Sequence, residues 1–122
     1  MDENLFKRRT KQLALQIIRL VNALPKNRIA DVPGRQLLRA GTSIGANYRA
    51  ACRGRSHAEY TAKIGVVAEE SDETLGWLEF IEAATLISQT KLADLLQEAK
   101  ELCAIFSASY GTAKRRERGN SG

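Results

Sequence analysis

R-A-G-T-S-I-G-A-N-Y-R-A-A-C-R-G-R, residues 39–55, interleaves small residues with arginines and has neither the alternation of a strand nor a phosphate-loop signature. Laid out at about 100° per residue, the stretch from Arg35 onward separates into two faces. Arg35, Arg39, Arg49 and Arg53 fall on one line, with Thr42 and Ala46 between them. Leu37, Ala40, Gly41, Ile44, Gly45, Tyr48, Ala51 and Cys52 gather opposite. That segregation predicts an amphipathic helix whose arginine stripe is about 27 Å long at 1.5 Å per residue. Gly41 and Gly45 each cost about 1 kcal/mol relative to alanine in a helix interior. Close approach of a neighbouring helix is the expected offset. Gly41, Ser43, Ile44, Gly45 and Asn47 are therefore the expected helix-packing residues, with Ser43 and Asn47 bonding to each other or to an adjoining helix end.

Periodicity on either side completes an all-α pattern. In a first helix Phe6, Thr10, Leu13, Ile17, Leu20 and Leu24 recur at spacings of four and three, with Ala14, Ile18 and Val21 widening the stripe, and Pro25 ends it. Asp31 before Val32-Pro33 reads as the N-cap of the second helix, which runs to about Arg53. Gly54 stops that helix and Ser56 caps a third, spanning about His57 to Ile87. Its inward register is Tyr60, Ile64, Val67, Ser71, Thr74, Leu78 and Ile81. Trp77, Phe80, Ala84 and Ile87 form a second apolar strip, more than one seam requires, so Trp77, Phe80 and Ile87 are expected at an oligomer interface. A fourth helix turns Leu92, Leu95, Leu96, Ala99, Leu102, Cys103, Phe106 and Tyr110 inward. Short connections favour antiparallel neighbours, which predicts an up-down-up-down four-helix bundle over 1–113 and a disordered basic tail over 114–122.

Composition is consistent with this reading. The chain has 122 residues, enough for one core, with 43% hydrophobic and 27% charged residues and only two prolines. No apolar run approaches the roughly 20 residues of a membrane span, and the first residues lack a signal segment, so a cytoplasmic protein without membrane contact is expected. The net charge of +5 is unevenly spread: +9 over residues 1–55, −7 over 56–113 and +3 over 114–122. A basic side facing a polyanion and an acidic side are one consequence; mutual attraction of the two halves is the other.

Chemistry-bearing constellations are absent. His57 is the single histidine and Cys52 and Cys103 stand apart, so the two thiols read as buried and reduced and zinc spacing is missing. The acids Glu69, Glu70, Asp72, Glu73, Glu79 and Glu82 lack the Glu-x-x-His pairs of a di-iron bundle. Ser43 and Cys52 have no partner that would activate a nucleophile. No enzyme, cofactor, metal or small-molecule substrate is expected.

From about Leu5 to Phe106 the chain resembles the four-helix-bundle proteins encoded within intervening sequences of bacterial 23S ribosomal RNA genes. The motifs are Leu24-Pro25, Q-L-L-R-A-G-T-S-I-G-A-N-Y at 36–48, S-H-A-E-Y-T-A-K-I at 56–64 and A-E-E-S-D-E-T-L-G-W-L-E-F at 68–80. One departure stands out: the family often has an acid shortly after the asparagine, where this chain has Ala50 and Ala51. The resemblance implies an antiparallel bundle assembling as a homo-oligomeric ring, a pentamer, without enzymatic activity. Accessory proteins of diversity-generating retroelements, which work with a reverse transcriptase and nucleic acid, look related.

Two functions follow as expectations. In the first, an oligomer grips structured RNA, ribosomal RNA included, through Lys7, Arg8, Lys11, Arg35, Arg39, Arg49, Arg53 and Arg55, with Arg9 and the basic tail adding charge. In the second, the oligomer is a scaffold that recruits a protein such as a polymerase, and its charges set subunit docking.

Overall fold

A computed structural model of the chain describes residues 1–121, with side chains as far as Gly119; Gly122, the last residue of the expected tail, lies outside the described residues. Four helices follow in order: α1 Glu3–Ala23, α2 Arg28–Cys52, α3 His57–Ala83 and α4 Gln89–Ser121. Connections of four or five residues turn each helix back on the last, and α4 returns to α1, so the helices form an antiparallel up-down-up-down bundle. Among the described residues there is no strand, and no helix is long and apolar enough to cross a membrane.

The stripes meet in one core. Leu13, Ile17, Leu37, Ile44, Ile64, Leu78, Ile81, Leu92, Leu102 and Phe106 are sealed from solvent. Near one end Phe6, Tyr48 and Phe106 stack with centroids 5.5–6.3 Å apart, tying α1, α2 and α4 together. Thr10, Thr61, Ser71 and Thr74 are buried without loss because each hydroxyl bonds to a carbonyl of the preceding turn.

Three boundaries and several burials differ from expectation. Asn27, not Asp31, caps α2: its side chain accepts the Ala30 N–H at 2.9 Å, and Pro33 lies inside the helix. Asp31 sits in the first turn, where an acid favours the helix dipole, and pairs with Arg35 at 3.1 Å. α3 stops at Ala83 rather than Ile87, because Thr85 takes a left-handed φ of 54°. Thr85 N–H then bonds Glu82 O and Leu86 N–H bonds Ile81 O, a Schellman closure made without glycine. α4 continues through the stretch assigned to the tail, with Ala113 buried. Ile18, placed in the α1 stripe, is 41% exposed. Cys52 and Cys103 are free but only half-buried, and burial raises the pKa of both thiols.

Candidate nucleic-acid interface

The second-helix glycines show why the arginines face outward. A Cβ on Gly41 would stand 2.2 Å from Ile17 Cδ1, and one on Gly45 would stand 3.2 Å from Thr10 Oγ1. α1 therefore lies directly against this face of α2, and the opposite side of α2 is left to solvent and α3. Ser43 Oγ is shared between Ala40 O at 2.8 Å and Glu70 Oε2 at 3.0 Å, so it links α2 to α3. Asn47 Nδ2 donates to Ser43 O within α2 at 2.9 Å, and Ile44 is buried.

The four arginines of the stripe do not act alike. Arg35 pairs with Asp31 on its own helix. Arg39 reaches across to α3 and bonds both Glu70 and Glu73. The bond to Glu73 raises the Arg39 pKa, and in return the guanidinium holds the Glu73 carboxyl below the usual range. Glu70 is largely covered, with 18% of its side chain exposed, so this is where its charge is met. Arg49 and Arg53, with Arg55 beyond them, are exposed and form no ion pair among the described residues. The stripe is thus half neutralised and half free.

The first-helix cations divide similarly. Lys7 pairs with Glu3 at 3.3 Å. Arg9 forms a two-bond pair with Glu98, at 2.7 and 3.0 Å, and lies 5.4 Å from the Phe6 ring centroid. The Glu98 hydrogen bond raises the Arg9 pKa. Arg8 and Lys11 are exposed and form no ion pair among the described residues.

Up-down topology brings the basic residues of three chain segments to one end. The start of α1, the end of α2, the start of α3 and the end of α4 share one end of the bundle, as the 3.0 Å contact of His57 Nε2 with Ala113 O and the Phe6–Tyr48 stack show. Residues 1–11, 49–63 and 108–119 hold 12 of the 19 Lys and Arg but only 4 of the 14 acids, a balance of +8. The remainder of the chain carries −3. From Ala113 to Ser121, α4 runs on past the level of His57 by about 12 Å at 1.5 Å per residue, carrying Arg115, Arg116 and Arg118 together with Lys114, which pairs with Glu117 at 3.5 Å. Beside it a recess of about 450 Å³ is lined by Met1, His57, Tyr60, Ser109, Thr112 and Arg116, among others. Burial is the main cause of the raised Tyr60 pKa, and the Arg116 charge opposes it.

Of the other candidate positions, Trp77 and Ile87 are half-buried against the core, while Phe80 meets Trp77 edge-on at 5.8 Å and is 51% exposed. Sequence reasoning joined the basic tail to the α2 arginines as one surface but did not single out Lys63, which only the position of α3 across the fold brings to that end. Among the described residues no group of three or more His, Cys, Asp or Glu is arranged to hold a metal ion.

The comparisons agree with this architecture. The family model described as 23S rRNA-intervening sequence protein matches residues 3–108. A crystal structure of a protein with unknown function from the S23 ribosomal protein family of Bacteroides thetaiotaomicron VPI-5482 is similar at TM-score 0.81 and 28% identity, over 91% of this chain and 99% of that one. Neither is described as an enzyme. None of the curated proteins matches the chain. With the family model matching residues 3–108 of 122 and a fold similar at TM-score 0.81 to a solved S23-family structure, the chain belongs to the 23S rRNA-intervening sequence protein family.

Proposed function

We propose that the protein is a non-enzymatic, homo-oligomeric module that binds structured RNA through phosphates at the basic end of its bundle. The observation that carries this reading is the collection at one end of cations that form no ion pair among the described residues: Arg49 on α2, Arg53 at its C-cap and Arg55 just beyond, with Arg115 and Arg116 on the overhanging α4. Closely spaced cations without acidic partners raise the local concentration of a polyanion and release its counterions on contact. No base-reading device is needed for this. The family's description names 23S ribosomal RNA, so a ribosomal fragment is the first RNA to try.

The test is titration of a labelled ribosomal RNA fragment at low and near-physiological salt, beside an unrelated structured RNA. Affinity should fall by about 0.9 log unit per log unit of salt for each duplex phosphate neutralised. Arg49→Glu with Arg53→Glu should weaken binding and flatten that slope. Lys26→Glu with Arg28→Glu, an equal charge change at the opposite end, should do much less. Equal losses from the two pairs would show that net charge rather than this end is responsible, and absence of binding at low salt would sink the RNA reading.

A further inference from the structure

The core stripe of α4 changes character as it nears the basic end. Ala99, Leu102 and Phe106 are buried at spacings of three and four, and the same line continues as Ser109, Ala113 and Arg116. Two small residues and a cation stand where a bundle core would place large apolar side chains. Facing them at the start of α3 are two rings, His57 and Tyr60, with centroids 6.3 Å apart and planes inclined by 31°. The recess of about 450 Å³ is lined by both surfaces. Its volume falls within the roughly 300–1,000 Å³ of small-molecule sites.

The polar groups around the recess are unequally engaged. Ser109 Oγ donates to Ile105 O at 2.9 Å, and Thr112 Oγ1 accepts from Arg115 Nη2 at 3.2 Å. His57 Nε2 donates to Ala113 O at 3.0 Å, since a carbonyl oxygen only accepts, and this bond fixes the imidazole against α4. Two groups are left over. The half-buried Tyr60 hydroxyl makes no hydrogen bond among the described residues, and Arg116 forms no ion pair there. The Arg116 charge lies close enough to act on the Tyr60 phenol.

A phosphate alone would use the arginine and leave the rings idle, and an apolar ligand would leave the arginine unmet. A group with a flat π-face, a polar edge and an attached anion uses all of them. We infer that the recess holds one unpaired nucleotide of the bound RNA, its base against His57 and Tyr60 and its phosphate at Arg116. This rests on the RNA reading above and adds a preference that phosphate contacts do not give. A base inside a duplex is stacked between its neighbours and cannot enter, whereas a bulged or looped base can. Stacking tolerates any base, so the preference is for unpaired structure rather than for sequence. The bond from His57 to Ala113 holds one ring in place before the RNA arrives, which lowers the ordering cost of binding.

The experiment is anisotropy titration of the full chain, at one salt concentration, with a blunt RNA duplex and with the same duplex carrying a single bulged uridine. The wild type should bind the bulged duplex more tightly by about 5- to 150-fold, the range of one base–aromatic stack. Tyr60→Leu, which keeps apolar bulk against the core, should remove that difference and leave the affinity for the blunt duplex as it was. Tyr60→Phe keeps the ring and should keep most of the difference. Circular dichroism checks the folding of both variants. Independently of any variant, an iodouridine at the bulge should crosslink on irradiation to His57 or Tyr60, as read from peptide masses of the wild-type complex. Equal affinity for the two duplexes, a difference that survives Tyr60→Leu, or a crosslink elsewhere overturns the nucleotide site while phosphate binding stands. Failure of both duplexes to bind overturns the RNA reading and this inference with it. Uridine monophosphate that displaces the bulged duplex at equal concentration overturns RNA as the source and assigns the recess to a free nucleotide.

Discussion

The glycines of α2 separate two reasons for having glycine in a helix. At Gly41 a methyl group would collide with the Cδ1 of Ile17, which is fully buried and would have to repack against the core. Gly41→Ala should therefore destabilise the bundle by about 1–3 kcal/mol despite alanine's better propensity. At Gly111 the nearest atom to an added Cβ is Arg115 Nη1 at 3.5 Å, ordinary contact, so Gly111→Ala should gain up to about 1 kcal/mol. Chemical denaturation of the two variants checks both signs. The tight approach at Gly41 was legible because the sequence sets it opposite the arginines. The fate of Arg39 was not, since its partners lie 31 and 34 residues away on another helix. Because Arg39 lowers the Glu73 pKa in the folded state, the pair's contribution is present above the ordinary carboxylate value of about 4.3. It is lost as pH falls through the lowered folded value. Arg39→Met should flatten the acid limb of stability against pH; an unchanged limb would show the pair contributes nothing.

At the scale of elements, the ends of helices were read less well than their faces. Core positions of all four helices follow the 3.6-residue period, because burial of one face is what that period encodes. Caps are local, and the sequence reading placed the start of α2 at Asp31 because Pro33 then takes its usual place in a first turn. The structure starts α2 four residues earlier, where the Asn27 side chain accepts the Ala30 N–H, so Asn27→Ala should cost about 1 kcal/mol. Asp31→Ala should cost less, losing only an exposed pair and a dipole contact. The end of α3 was illegible for a different reason: threonine does not announce a left-handed residue. Holding a non-glycine residue there costs about 1–2 kcal/mol, so Thr85→Gly should raise the melting temperature, and a drop would mean the Schellman turn is not what ends α3.

For the molecule as a whole, charge along the chain and charge in space tell different stories. By sequence the first 55 residues are basic and the next 58 acidic, which suggests two sides. Folding four antiparallel helices converts that into two ends, since each end collects two helix starts and two helix stops. Arg39, Arg9, Lys7 and Lys114 are absorbed into ion pairs on the way, while Arg49 and Arg53 at the end of α2 and Arg115 and Arg116 on α4 form none among the described residues. In the homo-oligomer proposed above, with Phe80 at the interface expected from the sequence, a long RNA can touch several basic ends while a short one reaches only one. Linked contacts raise apparent affinity by about 10²–10⁴-fold without any new interaction. Phe80→Asp, which leaves the basic end untouched, should then lose at least tenfold in affinity for a long structured RNA and almost nothing for a hairpin that fits a single bundle end. Fluorescence anisotropy with the two RNAs, at one salt concentration, measures the contrast. Equal losses on both RNAs would mean the substitution damages the site itself, and no loss on either would mean that a single bundle end already accounts for all the binding.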